Sequence, residues 1–513
     1  QGAGRLPGGG APVTTELPVP LAGPVGTRLR GQRLATLRRG NLRRVGWGPK
    51  PRRRSELGLL IVGAVVVLAA EILASFGVQS RTGSGALSLP DHLAELALGV
   101  AAFGVAVNFV NRRLAPDADP VMLPIVLVLN GLGFVMIQRI GSADSRPSAQ
   151  LEWSVLGVAA YALTLLVVRR TRDLERYRYL LAVLAFLLLV SPLLPKVGES
   201  INGARLWLHI GSTIEFQPVE IAKILLVIFF ASYFVEKREL LTVPTRRIGD
   251  RLIPDLRAFG PVAVAGLAAW LIILAEHDIG FSLILFVVFL VLIWVATGRW
   301  SYVLLGLVAF VAATYLASRL LGQVNGRIAV WLDPWKYYWD TGYYAGQQPV
   351  QGELAFARGG VWGSGLGLGL GAALPGAAST PIPVPSSDFI FAIFGEEIGL
   401  IGTSAMVVGY LLVIGAGLRA ATRARSEFAR LLAVGLTCTL GFQTFFIMAG
   451  VLRLLPLTGV TLPFVSYGGS SLVANYVLMA LLMRTSDESN GATAVLPATA
   501  MVPVSAAAPA RPG

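Results

Sequence analysis

The chain has 513 residues, 54% of them apolar and only 14% charged, with a formal net charge of +14. Soluble domains carry roughly 25% charged residues, so an ordinary globular enzyme is excluded, and many apolar windows reach the roughly 20 residues that cross a bilayer. A single cysteine, Cys438, excludes an intrachain disulfide and a cysteine metal cluster, and the scattered His92, His209 and His277 argue against a histidine-based metal site.

Residues 1–56 are Gly/Pro-rich, then Arg-rich, ending in GPKPRRRSE, and read as a disordered basic cytoplasmic tail. No short apolar core with a small-residue cleavage site follows, so a signal peptide is not expected. Apolar spans follow at 57–78, 93–111, 120–138, 151–168, 178–195, 218–235, 259–275, 279–297, 302–320, 388–418, 429–450 and 471–484. The expected fold class is an all-α polytopic membrane protein of about twelve transmembrane helices. Residues 486–513 are Ala/Pro/Ser-rich and read as a second disordered cytoplasmic tail.

Lys and Arg favour the segments on the N-terminal side of these spans by about three to one, which places both termini in the cytoplasm of a multi-pass cell-membrane protein. The positive charge is therefore a topology signal with some affinity for anionic lipid. It does not gather with aromatics on one face, so nucleic acid is not an expected partner. Two outer segments are too long for plain connectors: 196–217, and a long extracellular loop at about 321–387 containing RIAVWLDPWKYYWD.

Chemistry-bearing residues cluster at the outer boundary of the spans. Asp388 opens a span after PVPSS; it can cap the helix or serve as a partly desolvated general base. Glu396 and Glu397 lie two turns deeper, where acids face the bundle interior. In EFQPVEIAK, Pro218 suits a first helical turn and Glu220 and Lys223 share a face. They form either a neutralised structural pair or a cationic site for phosphate, to which Arg205 of the preceding loop adds a planar fork. Glu276, His277 and Asp278 occupy a short outer turn facing the protein or the headgroup layer; such a trio can bind a metal where its ligands converge. Residues 454–475, LLPLTGVTLPFVSYGGSSLVAN, interrupt the apolar pattern with Pro, Gly and Ser and read as a re-entrant or cavity-lining loop. The glycine-rich GGVWGSGLGLGLG at 359–371 follows no strand and is no nucleotide fingerprint; it reads as a flexible or closely packed loop. The loops 196–217, 276–278 and 454–470 are expected to converge around Asp388.

Together DPVMLPIVLVLNGLG, NGARLW, FQPVEIAK, HDIG, RIAVWLDPW, SSDFIFAIFGEEIGLIG and LPFVSYGGSS resemble the SEDS family, the RodA/FtsW-type membrane proteins, over residues 120–485. The two N-terminal spans within 57–119 exceed that family's core of about ten helices and are similar to those of actinobacterial RodA-like members. The resemblance implies a glycosyltransferase that polymerises lipid II, an undecaprenyl-pyrophosphate-linked disaccharide-peptide, into peptidoglycan strands at the outer membrane face, for elongation and shape or for division. By the resemblance Asp388 is the catalytic residue. Lys223, Glu220, Arg205 and Asp278 bind substrate or pyrophosphate. Trp207, Gln217, Ser387, Glu396, Glu397, Ser466, Gly468 and Gly469 support them. Departures from the family pattern are QPVE, EHDIG and SSDF, and Ile447 where the family has Asn.

No resident metal or other cofactor is required by the sequence; a divalent cation, Mg or Mn, near Asp278 or the pyrophosphate is the one candidate. The expected partners are lipid II, the membrane and a class B penicillin-binding protein acting as transpeptidase. Two rival functions remain. A lipid II flippase suits many spans with interior charges, but it needs polar groups at both membrane depths. A non-catalytic scaffold of the cell-wall machinery gives no reason for Asp388, Glu220, Lys223 and Asp278 to share one boundary.

Overall fold

The computed structural model describes residues 51–83, 88–140, 147–194, 198–201, 204–210, 214–242, 244–248, 251–254, 279–320, 322–342, 345–371 and 381–491, with residues 260 and 267 besides. In chain order the helices are α1 (Pro51–Thr82), α2 (Leu93–Leu114), α3 (Met122–Ile140), α4 (Pro147–Val167), α5 (Thr171–Arg176), α6 (Arg178–Val190), α7 (Val219–Glu236), α8 (Arg238–Thr242), α9 (Ile279–Thr297), α10 (Trp300–Leu320), α11 (Gly322–Leu332), α12 (Gln347–Gly359), α13 (Ile390–Thr422), α14 (Glu427–Val451) and α15 (Gly469–Gly491). The all-α membrane architecture expected from the apolar periodicity is borne out. Each predicted span coincides with a helix except 259–275, which lies almost wholly outside the described residues. Eight described helices are long and apolar enough to cross a membrane, so these residues do not fix the count of twelve.

Burial sorts the helices into an inner and an outer set. Nearly every residue of α7 from Val219 to Phe234 is buried, as is most of α14 and α15. Around them pack α4, α6, α9 and α13, and α3 is tied to α15 by the Asn130–Tyr476 hydrogen bond. In contrast only 6% of the apolar window of α10 is covered by protein. Such a helix, apolar all round yet uncovered, has lipid as its natural solvent.

Several regions add to or differ from their expected form. Residues 51–56, expected in the tail, are the first turns of α1. Buried Arg53 pairs with Glu56 and donates to the carbonyls of Ala115 and Pro116, which ties this end of α1 to the α2–α3 connection. The last helix likewise runs past residue 485, because Arg484 donates to the carbonyls of Leu114, Leu165 and Val168 and Glu488 accepts from Thr171. The 196–217 segment is not a plain loop: β1 (Gly198–Ile201), β2 (Ala204–Ile210) and β3 (Ile214–Phe216) form an antiparallel sheet in the order β1-β2-β3. Its register pairs Glu199 with Trp207 and Leu208 with Phe216. A second hairpin joins β4 (Pro244–Ile248) to β5 (Arg251–Pro254). Within the predicted long loop, α11 and α12 supply regular structure.

Candidate active site

Asp388 sits two residues before α13. It is not the N-cap residue: Phe389 occupies that position and makes no side-chain capping bond. The carboxylate instead lines a cavity of about 520 Å³. The walls come from α11 (Gln323, Arg327, Val330, Trp331), from the start of α12 (Gln348, Pro349) and from the segment after α14 (Arg453, Leu455, Leu457, Gly459). Of the described lining residues Asp388 carries the sole carboxylate.

The SYGG turn fixes the backbone that presents it. Ser466 Oγ donates to the Ser387 carbonyl at 2.6 Å and accepts from Leu462 N at 2.9 Å, while Tyr467 N donates to the Ser386 carbonyl at 2.9 Å. Gly468 opens the turn into α15, its carbonyl accepting from Leu472 N, and a Cβ on Gly469 would fall 2.1 Å from the ring of Trp153. Of the re-entrant and cavity-lining readings of residues 454–475, the cavity-lining one has a definite form: this segment lines the cavity and clamps the PSSD turn.

Arg327 faces Asp388 across Gly459. It donates to the carbonyls of Leu457 and Thr458 at 3.1 and 3.0 Å. A Cβ built on Gly459 would stand 3.7 Å from the Arg327 guanidinium and 4.0 Å from Asp388 Oδ2. Gly459 has φ +72°, a conformation glycine adopts without steric cost, and it leaves the space between the two charges open. Burial raises the Asp388 carboxyl to about 6, against the opposing effects of the Ser387 hydrogen bond and the Arg327 charge. The group is therefore largely ionised at neutral pH yet more basic than an ordinary aspartate.

Lys223 lies elsewhere. Its ammonium donates to Glu220 Oε2 at 2.5 Å and to Gln443 Oε1 at 2.7 Å, and sits 5.0 Å from the centre of the Phe281 ring. Both charges are buried. Gln443 Nε2 passes the connection on to the Thr461 carbonyl at 3.0 Å. Lys223 thus does not line the Asp388 cavity; it braces, through Gln443, the segment that carries Gly459. Buried Gln217 closes the first turn of α7, its carbonyl accepting from Glu220 N. Trp207 is half-buried in β2; Arg205 shares that strand, paired with Ser200, and its side chain lies outside the described set. Asp278, with Glu276 and His277, lies outside the described residues as well. Of the three segments expected around Asp388, the 454–470 stretch reaches the cavity, and no described residue of 196–217 lines it.

The divalent cation is expected near Asp278 or the pyrophosphate, and Asp278 lies outside the described residues. Among the described residues no group of three or more His, Cys, Asp or Glu side chains converges.

Glu396 and Glu397 bind the glycine-rich segment. Glu396 accepts from Arg358 Nε at 2.6 Å and from the amides of Leu370 and Gly371; Glu397 accepts from Gly367 N at 2.8 Å and lies 3.0 Å from Arg139. Here α13 is broken at Gly399 (φ +64°), and the freed backbone groups are satisfied by the glycine segment. Ser364 N and Gly365 N donate to the carbonyls of Glu396 and Glu397, while Leu400 N and Ile401 N donate to those of Gly360 and Val361. The two strings are one interlocked unit, the packed alternative for 359–371.

Comparison with known proteins fits this architecture. The family profile described as "Cell cycle protein", FtsW/RodA/SpoVE, matches residues 118–491. The chain belongs to the FtsW/RodA/SpoVE family. It is 40% identical over 448 residues to a "Peptidoglycan glycosyltransferase RodA" of Mycobacterium tuberculosis, covering 85% of this chain and 90% of the relative. It is 31% identical over 384 residues to a "Probable peptidoglycan glycosyltransferase FtsW" of Geobacter sulfurreducens, covering 73% of this chain and 96% of the relative. Among solved structures, a chain of a peptidoglycan synthase complex superposes with a TM-score of 0.56 at 26% identity, covering 72% of this chain and 98% of that one. The RodA of Thermus thermophilus shares the fold with a TM-score of 0.50 at 24% identity, covering 72% and 96%.

Within this FtsW/RodA/SpoVE chain, sequence reasoning missed Arg327 and Arg453. The signal for Arg327 was its place at the head of RIAVWLDPW; nothing in the string told which way its helix would face. The interlock at Gly399 also yields a test. A Cβ there would come within 2.3 Å of Gly363 N, in a conformation (φ +64°, ψ −167°) that is essentially glycine's alone and costs another residue about 1–3 kcal/mol. Gly399→Ala should lower the thermal midpoint of detergent-solubilised protein by several degrees. An unchanged midpoint would show that the glycine segment does not hold α13.

Proposed function

We propose that the chain is a peptidoglycan glycosyltransferase, polymerising lipid II at the outer face of the cytoplasmic membrane for cell elongation and shape or for division. One observation carries the reading: an uncapped carboxylate, Asp388, lines a cavity beside a cation where a helix enters the apolar bundle. The names of the relatives agree with it. The Lys/Arg distribution supports an outward-facing cavity with both termini cytoplasmic.

Asp388 removes the proton of the acceptor 4-hydroxyl as that oxygen attacks the anomeric carbon of the donor. A glycosidic bond forms, the bond from the anomeric carbon to the polyprenyl pyrophosphate breaks, and the diphosphate leaves with its electron pair. Arg327, on the far side of Gly459, stabilises the negative charge gathering on the leaving group. Lys223 and Glu220 act at a distance, by holding Gln443 and Thr461 and so the Gly459 segment in place.

The partner follows from the same reading. The neighbour in a peptidoglycan synthase complex supports pairing with a class B penicillin-binding protein that crosslinks the new strand. Trp335 and Trp339, 57% and 88% exposed in the segment between α11 and α12, suit a docking surface for an extracellular domain.

The deciding experiment is polymerisation of lipid II by purified protein in detergent, with and without its transpeptidase. Glycan polymer formed without a membrane to cross supports the enzyme; substrate movement across vesicles with no polymer would favour the flippase. The kcat/KM should rise with pH through an apparent pKa of about 6, because the base works only when ionised and Asp388 is raised to that value. A flat profile between pH 5 and 8 would remove Asp388 from that role.

A further inference from the structure

We propose that Arg453 is a second diphosphate-binding residue of the cavity, which Glu353 holds in place until the ligand displaces it. The proposal rests on the reading that this cavity receives a lipid-linked diphosphate.

Arg453 lies just beyond α14 and lines the same cavity as Asp388 and Arg327. Its backbone is in the left-handed region, with φ +55°, where a residue bearing a Cβ is strained. Such strain persists only where the surroundings impose it, and it gathers at ligand sites. The surroundings here can be named. The Arg453 carbonyl accepts from Trp331 Nε1 at 3.0 Å, its amide donates to Gly450 O at 3.1 Å, and Leu454 N closes onto Ala449 O at 2.8 Å. Trp331 and Gly450 line the cavity too. The strained turn therefore sets the direction of the Arg453 side chain from the cavity wall itself.

The guanidinium meets Glu353 of α12 at 2.7 Å, and the two side chains are 35% and 34% exposed. This separates the pair from the neighbouring bridges, Arg139 with Glu397 and Arg358 with Glu396, whose carboxylates are wholly buried. A half-exposed pair contributes little to stability, because water competes for both charges. A diphosphate offers more: several charged oxygens in a geometry the guanidinium fork can meet with two parallel bonds. Arg453 can exchange Glu353 for a diphosphate, and Glu353 then turns to water. Arg327 differs, being held to the Leu457 and Thr458 carbonyls. The cavity thus has one anchored and one exchangeable cation, and the exchangeable one is neutralised while no ligand is bound.

The test uses full-length, detergent-solubilised protein and isothermal calorimetry with inorganic pyrophosphate and with farnesyl diphosphate. Glutamate serves as a carboxylate control, since acidic groups elsewhere on the substrate could also seek an arginine. Arg453→Gln should weaken both diphosphates about tenfold or more, the loss expected for a charged hydrogen-bonded contact. Glu353→Gln should tighten them by several-fold. In polymerisation, Arg453→Gln should raise KM for lipid II more than it lowers kcat, as loss of uniform binding does. Arg453→Gly guards against misfolding: it removes the side chain and the backbone strain together, so the protein should unfold at no lower temperature while diphosphate binding still falls. Unchanged diphosphate affinity in both Arg453 variants would overturn the proposal. So would a Glu353→Gln protein that loses affinity as Arg453→Gln does, since the pair would then be a structural bridge. Glutamate binding that depends on Arg453, with no diphosphate binding, would overturn the ligand class. If wild-type protein polymerises lipid II and Asp388→Asn does not, while Arg453 variants bind normally, this inference fails and the parent function stands.

Discussion

Asp388→Asn should lower lipid II polymerisation by about 100- to 10,000-fold, the usual loss on removing a general base, and leave the thermal midpoint and membrane insertion as they are in wild type. The structure separates the two effects. An N-cap carboxylate would be missed in folding, and its replacement would confuse the result. Asp388 is not the N-cap residue of α13; Phe389 is, and it makes no side-chain capping bond. Its backbone is held by Ser466 and Tyr467 through the Ser387 and Ser386 carbonyls, and those bonds do not involve the carboxylate. Asn has nearly the same shape and can still accept from Ser387. What it cannot do is take a proton. Near wild-type polymer yield from Asp388→Asn would end the assignment of Asp388 as the base.

The sequence made some of this visible and hid the rest for definite reasons. Apolar runs mark spans directly, because only a helix satisfies its own backbone in lipid, and α1 to α4, α9, α10, α13 and α14 fall where the runs do. Asp388 was visible because a carboxylate at the head of such a run is rare. The destination of Lys223 was not. Glu220 and Lys223 at three-residue spacing fit a phosphate site and a buried pair equally well. The choice was made by Gln443, some 220 positions away. Arg327 was hidden for the complementary reason: an arginine in an outer loop looks like any solvated charge until α11 is seen to face Asp388 across Gly459. The sheet over 198–216 was hidden because its strands are short, of four, seven and three residues, and its register includes a shift between Glu199 and Ser200. The glycine segment was ambiguous between slack and packed until the break at Gly399 showed which carbonyls and amides it had to meet.

Arg327→Gln should reduce kcat/KM by about 100- to 1,000-fold, the range found when one donor to a developing anion is lost, and should also move the acid limb of the pH profile upward. The second effect is the informative one. Arg327 holds the Asp388 pKa down, against the burial that raises it. With that charge gone, the carboxyl keeps the raising effect and loses part of the opposing one, so its pKa climbs above about 6. Less of the base is then ionised at a given pH, and the deficit relative to wild type is larger at pH 6 than at pH 8. A rival account is available, because Arg327 also fastens the Leu457 and Thr458 carbonyls, and losing those bonds would loosen the Gly459 segment. Loosening alone, by admitting water to Asp388, would ease its desolvation and move the limb downward. The two accounts therefore differ in sign. A fall in rate with the limb fixed or shifted to lower pH would make Arg327 a structural tie and leave the leaving diphosphate without its nearest cation.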